Sequence, residues 1–203
     1  MNGHYYTEQP QVAHQRQEYS TVLRGEKFRF KTDSGVFSKT NVDYGSRVLI
    51  EAVQLTSTDQ VLDVGCGYGP IGLSLSKLVK DGQVTMVDIN ERAIELARQN
   101  AKLNNIDNVT ILQSDLYTSL VSQLASFDVI VTNPPIRAGK EVVHRIFEEG
   151  ERWLKPGGSM WVVIQKKQGA PSAERKLLEL YERVEEVTKD KGYRVFRAYK
   201  ALH

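Results

Sequence analysis

The chain has 203 residues, 40% of them hydrophobic and 26% charged, ordinary values for one globular domain able to bury a full core. A net charge of +2 permits a local basic patch but is too mild to announce nucleic-acid binding by itself. The single cysteine, Cys66, excludes an internal disulfide and a cysteine-built zinc site, and His4, His14, His144 and His203 show no metal-ligand spacing. No run approaches a membrane span, and the polar start is unlike a signal peptide, so a cytoplasmic protein without metal is expected.

Residues 1 to about 18 are polar and read as a loosely ordered arm. Lys27-Phe28-Arg29-Phe30-Lys31 then alternates strictly, which puts both phenylalanines on one face of a strand and three cations on the other. A solvated basic face explains the cations, and so would nearby phosphates. Residues 1–34 are therefore expected to form an arm and basic strand ahead of a domain spanning 35–203. Asp33-Ser34-Gly35 is turn chemistry, and apolar spacing from Asp43 to about Gln54 predicts a helix.

From residue 60 strands and helices alternate. Strands are predicted at Gln60–Val64, Val84–Val87, Val109–Leu112, Val129–Thr132 and Met160–Ile164. Helices are predicted at Pro70–Val79, Glu91–Leu103 with Asn90 as its cap, about Glu141–Trp153, and Ala173–Tyr181. Lys155-Pro156-Gly157-Gly158 reads as a breaker. Val184–Thr188 and Tyr193–Ala201, joined by a turn around Gly192, should be antiparallel neighbours. Repeated βαβ units imply a doubly wound α/β fold: a mostly parallel seven-stranded sheet with a C-terminal antiparallel hairpin. Its ligand site should lie at the carboxyl ends of the strands.

The informative residues fall at those ends. After the first strand comes Asp63-Val64-Gly65-Cys66-Gly67-Tyr68-Gly69, whose glycines allow a tight turn and close approach of a ligand. Pro70 stands where a dinucleotide cradle needs its third glycine, which argues against a nicotinamide dehydrogenase. Asp88 ends the second strand where an acidic side chain can accept from ribose hydroxyls. Asp115-Leu116 after the third offers a carboxylate and an apolar side chain for a purine. The fourth strand runs into Asn133-Pro134-Pro135-Ile136. Proline has no N–H for the ladder, so Pro134 must end the strand. The Asn133 amide oxygen and the Pro134 carbonyl are then two close acceptors, suited to a ligand that presents an –NH2 group. A strand that merely stops at a Pro-Pro turn is the plain alternative.

Together these residues resemble the class I S-adenosylmethionine-dependent methyltransferases. Asp63 to Gly69 matches the superfamily's first motif, Asp88 its ribose-binding acid and Asp115 its adenine-contacting one. Asn133-Pro134-Pro135-Ile136 resembles the N-P-P-aromatic motif of enzymes that methylate planar nitrogens. Gly35-Val36-Phe37-Ser38 and Tyr193 to Ala198 further resemble the small-subunit ribosomal RNA guanine-N2 methyltransferases. The resemblance implies a Rossmann-like fold and S-adenosylmethionine as cofactor. It assigns cofactor contacts to Asp63, Gly65, Cys66, Gly67, Gly69, Asp88, Ile89, Asp115, Leu116 and Asn133. It assigns catalysis to Asn133 and Pro134, and the substrate to Phe37, Pro135, Ile136 and Arg137. Ile136 departs from the pattern, because the family has an aromatic there to stack on the base; Phe37 is the candidate replacement.

The implied reaction is methyl transfer to an exocyclic amine of an RNA base, most directly guanine N2 in small-subunit ribosomal RNA, with RNA or the small subunit as partner. The same –NH2 logic serves a protein glutamine amide, or adenine or cytosine in nucleic acid. A non-catalytic RNA-binding module on this scaffold would leave the glycine loop and Asn133 unexplained. Arg137, Lys140, Lys166, Lys167 and the 27–31 cations are candidates for phosphate contact.

Overall fold

The computed structural model describes residues 16–34, 41–120 and 124–203. The first elements are β1 (Gln17–Leu23) and β2 (Glu26–Thr32), an antiparallel hairpin in register Leu23↔Glu26. Its loop, Arg24-Gly25, takes positive φ at both positions (50° and 79°), the two-residue turn whose twist matches the strands. Phe28 and Phe30 are buried while Lys27 and Arg29 are exposed, as the alternation predicts. β1 is an addition to the expected arm. Its Tyr19 and Thr21 are only half-buried and Leu23 alone is fully buried, so its apolar signal is faint.

The rest follows as α1 (Tyr44–Ala52), β3 (Gln60–Val64), α2 (Pro70–Ser76), β4 (Gln83–Asp88), α3 (Glu91–Leu103), β5 (Val109–Gln113), β6 (Phe127–Thr132), α4 (Lys140–Trp153), β7 (Leu154–Gln165), α5 (Ala170–Leu180), β8 (Arg183–Asp190) and β9 (Tyr193–Tyr199). Two boundaries differ from expectation for visible reasons. α2 stops at Ser76, where the Ser74 and Ser76 hydroxyls donate back to the carbonyls of Ile71 and Leu73. α5 begins at Ala170, with Gly169 left-handed before it and Pro171 in its first turn.

One expectation is corrected. Lys155-Pro156-Gly157-Gly158 does not separate α4 from the next strand but lies within β7. Between Phe127↔Leu154 and Val129↔Ser159 the pairing with β6 is irregular. The segment finds partners at the other end of the chain instead: Gly157 N–H donates to the Ala201 carbonyl and Lys200 N–H to the Gly158 carbonyl. Local breaker chemistry was overridden by a pairing more than forty residues away.

The sheet runs β5-β4-β3-β6-β7-β9-β8, with β3 to β7 parallel and β9 antiparallel to both its neighbours. β6 is central and buried on both sides. Val129 and Val131 face a cluster shared with α1, α2, α3 and the hairpin, and Ile130 faces a cluster shared with α4 and α5. A continuous apolar run is what a strand covered on both faces requires. The order reverses between β3 and β6, so the crevice at the top of the sheet opens between their carboxyl ends.

Candidate active site

The β3 end of that crevice is built by backbone. Gly65, Gly67 and Gly69 all have positive φ (76°, 56° and 107°), a conformation L side chains rarely adopt. The N–H groups of Gly65 and Cys66 both donate to the Val87 carbonyl at 2.9 Å, and Gly67 N–H donates to Asp88 Oδ2 at 2.8 Å. A Cβ added to Gly65 or Gly67 would meet nothing within 4 Å, so open space lies against the loop. The other Asp88 oxygen accepts from Asn90 N–H at 2.9 Å, and Asn90 caps α3 as expected by accepting from Ala93 N–H. Desolvation raises the Asp88 carboxyl above its ordinary value, against the three backbone N–H groups that favour its charge.

Asp63 lies beneath the loop with no exposure. Its Oδ2 accepts from Gly72 N–H at 2.8 Å, while Oδ1 has no partner among the described residues. Burial pushes its pKa up to about 7, with the Gly72 N–H opposing and Asp88 adding. Burial likewise drives the Cys66 thiol well above its usual range, with Asp88 and Asp63 adding to the effect. A thiol held protonated is a poor nucleophile, so Cys66 is a small apolar filler.

The hairpin braces this loop from behind. Tyr68, inside the glycine motif, is buried with its ring edge-on to Phe30 and Tyr19, and its hydroxyl is 2.5 Å from that of Tyr19. Its carbonyl accepts from Asn100 Nδ2 on α3. The same Asn100 side chain bonds both the N–H and the carbonyl of Lys31, and Asn104, one turn later, does the same for Arg29. Two amides four apart on a helix thus meet alternate residues of β2.

The β6 end is held by side chains. Thr132 Oγ1 donates to the Val64 carbonyl and ties β6 to β3. Beyond it, Asn133 Nδ2 donates to Asp43 Oδ1 at 3.1 Å and Ser46 Oγ at 3.0 Å. Asp43 is the N-cap of α1 and also accepts from Ser46 N–H at 3.0 Å. With the amide nitrogen so engaged, Asn133 Oδ1 is left to the crevice. In the 3₁₀ turn Ile136–Ala138 that follows, the Pro135 and Ile136 carbonyls accept from Ala138 and Gly139, and the Pro134 carbonyl stays outside that turn. Neither of the two acceptors expected from the motif has a hydrogen-bond donor among the described residues.

One crevice unites Gly65, Cys66, Gly67 and Asp88 with Asn133, Pro134, Pro135, Ile136 and Arg137. Asp63 and Gly69 lie behind its wall rather than in it. Ile89 is half-buried and outside the lining, Leu116 is buried in the α4 and α5 cluster, and Asp115 is exposed, 4.0 Å from Arg145. Phe37 and the rest of Gly35-Val36-Phe37-Ser38 lie outside the described residues. The crevice also takes in Asp43, Ser46, Ile71, Ala93 and Gln168, which the motifs do not announce. Asp43-x-x-Ser46 is legible as a helix cap, but nothing local says that it reaches Asn133.

Around the mouth Arg137, Lys140, Lys166 and Lys167 are exposed, without an acidic partner among the described residues, whereas Arg29 is paired with Glu18 at 2.6 Å. Among the described residues, no group of three or more His, Cys, Asp or Glu could hold a metal, and no helix is long and apolar enough to cross a membrane. Open glycines, an acidic acceptor at Asp88, and apolar Ile71 and Ala93 fit a nucleoside with a polar tail.

The methyltransferase small domain model matches residues 27–197. The uncharacterized protein YbxB of Bacillus subtilis is 53% identical over 201 residues, covering 98% of this chain and all of that protein. The ribosomal RNA small subunit methyltransferase C of Haemophilus influenzae (strain PittGG) is 30% identical over 165 residues, covering 79% of this chain and 49% of the relative. Among solved structures, the T. thermophilus 16S rRNA N2 G1207 methyltransferase (RsmC), in complex with AdoMet and guanosine, superimposes with a TM-score of 0.81 at 28% identity, over 91% of this chain and 50% of the other. The chain thus spans about half the length of the named ribosomal RNA enzymes it matches.

Proposed function

The chain belongs to the methyltransferase small domain family, and we propose that it methylates the exocyclic N2 of a guanine in small-subunit ribosomal RNA. S-adenosylmethionine is the cofactor, and it supplies an electrophilic methyl group carried on a sulfonium. Gly65, Cys66 and Gly67 would receive its amino-acid end and Asp88 its ribose, for which a carboxylate keeps a free lone pair beside its backbone bonds.

The observation that carries the reading is Asn133: its amide nitrogen is spent on Asp43 and Ser46, which leaves its oxygen as the acceptor, and the residue lines one crevice with the glycine loop. An exocyclic amine is a poor nucleophile because its lone pair is delocalised into the ring. Accepting its two hydrogens at Asn133 Oδ1 and the Pro134 carbonyl favours a pyramidal nitrogen whose lone pair points across the crevice. Placement supplies much of the acceleration, and the acceptors stabilise positive charge that appears on the nitrogen during attack. No strong base is needed beforehand: as the N–C bond forms the methyl–sulfur bond breaks and a neutral thioether leaves, and the nitrogen, acidic only once alkylated, gives its proton to water.

Guanine is favoured because the structurally similar T. thermophilus enzyme holds guanosine. The exposed cations at the mouth, without an acidic partner among the described residues, favour a polyanion, and a base must leave its stack to enter. Ile136 is half-buried in the crevice wall and can cover one face of a base by apolar contact. Phe37 is proposed to supply the aromatic face that position 136 lacks, and the setting is a cytoplasmic ribosomal one. The test is transfer of labelled methyl from S-adenosylmethionine to total RNA, isolated small subunits and protein, followed by digestion to nucleosides. Label in N2-methylguanosine is expected; label only in protein, or in another nucleoside, overturns the assignment.

A further inference from the structure

An amide side chain is nearly symmetric in shape but not in chemistry: one end accepts hydrogen bonds and the other donates them. If Asn133 presented its nitrogen to the crevice, donor would face donor at the target amine. The site works only in one orientation of this side chain. What sets it is not within the Asn-Pro-Pro motif, since Pro134 and Pro135 have no N–H groups.

We propose that Asp43 is a positioning residue that selects the productive orientation of Asn133, with Ser46 as a second hold; this rests on the function proposed above. The two neighbours differ in kind. The Ser46 hydroxyl can donate or accept, so it bonds either end of the amide. The Asp43 carboxylate, when ionised, only accepts. It sits 3.1 Å from Asn133 Nδ2, so turning the amide over would set oxygen against a carboxylate oxygen. The bond is also charge-assisted, and drawing density toward the amide oxygen strengthens it as an acceptor.

Asp43 is itself tightly placed. It caps α1 through Ser46 N–H. The first turn of α1 lies so close to β9 that a Cβ on Gly45 would come within 2.8 Å of the Tyr193 ring. On the outer side of the helix Arg47 donates to the Val22 carbonyl and to Asn41 Oδ1. An anion 90 residues from the motif in sequence thereby sets the polarity of the acceptor.

The test separates selection from helix capping. Asparagine caps a helix about as well as aspartate, but its own amide offers either end, so Asp43→Asn keeps the cap and loses the selection. Asp43→Asn should fold with an unchanged melting temperature, bind S-adenosylmethionine normally, and lose kcat by about a hundredfold, the scale of a misplaced reacting group. In ¹⁵N-labelled protein without substrate, the Asn133 side-chain NH2 resonances should shift and broaden in Asp43→Asn and move to the positions of a free asparagine side chain in Asp43→Ala. Unchanged Asn133 resonances in both variants overturn the inference whatever the substrate is. So does wild-type kcat in Asp43→Asn. Absence of label in guanine with the wild-type enzyme instead overturns the substrate assignment and leaves the resonance test standing.

Discussion

The two ends of the crevice are built by opposite means. At β3 and β4 a ligand meets a shape made by backbone: glycines in left-handed conformations, N–H groups bonded to Val87 and Asp88, and two carboxyls whose burial raises their pKa. At β6 it meets one amide whose direction depends on side chains from a different helix. A site that grips a cofactor needs a fixed mould, and local chain chemistry suffices to make one. A site that activates an amine needs a dipole of the right sign, and that requires a partner from elsewhere in the fold.

The sharpest way to break the comparison is Asn133→Ala. It should lower kcat by about a thousandfold, roughly 4 kcal/mol of transition-state stabilisation, while the dissociation constant for S-adenosylmethionine by calorimetry changes by only a few-fold. Asp88→Ala should do the reverse. It strands the N–H groups of Gly67 and Asn90 and removes an acceptor, so cofactor affinity should fall by roughly tenfold to a hundredfold, at about 1–3 kcal/mol. Turnover at saturating cofactor should fall far less.

A third test probes the mould itself. Asp63 binds a proton in the fold up to about pH 7 but below about pH 4 in the unfolded chain. The native state therefore holds more protons across that window, and its stability should decline as pH rises from 4 to 7. In Asp63→Asn the part of this decline that belongs to Asp63 should be lost, so the fall in melting temperature from pH 4 to 8 should be shallower, with what remains carried by Asp88. A slope equal to that of the wild type would place the charge elsewhere. The smallest effect should come from the rim: Arg137→Ala is expected to weaken RNA binding a few-fold and reduce the salt slope by about one counterion, with cofactor affinity unaltered.

The same contrast explains what could be read from residues alone. The mould is written in consecutive residues, so Asp63 to Gly69, Asp88 and the Asn90 cap were legible, as was β6 from its unbroken apolar run. The amide's partners were not, because Asp43 and Ser46 lie 90 and 87 residues away and look like an ordinary helix cap. The residues mark β7 only from Met160, because Pro156 and two glycines signal a turn, and Lys200 and Ala201 supply the pairing that draws the segment into a strand. β1 has no clear signal in the sequence because it buries only Leu23 fully. Asp115 and Leu116 are assigned by motif alone; in the fold Asp115 is exposed 4.0 Å from Arg145 and Leu116 packs in the α4 and α5 cluster.

The asparagine ladder on α3 bears on behaviour outside catalysis. A two-stranded hairpin has a free edge of N–H and carbonyl groups, which is a template for strands of other molecules. In β2 that edge is closed at Arg29 and Lys31 by Asn104 and Asn100, which present amide groups in the place a neighbouring strand would occupy. The alternating Lys27 to Lys31 segment, with two phenylalanines among its five residues, is thereby kept from recruiting a second chain. Replacing Asn104, which bonds only β2 and its own helix, would open that edge at Arg29, whereas replacing Asn100 would also release the Tyr68 carbonyl of the glycine loop.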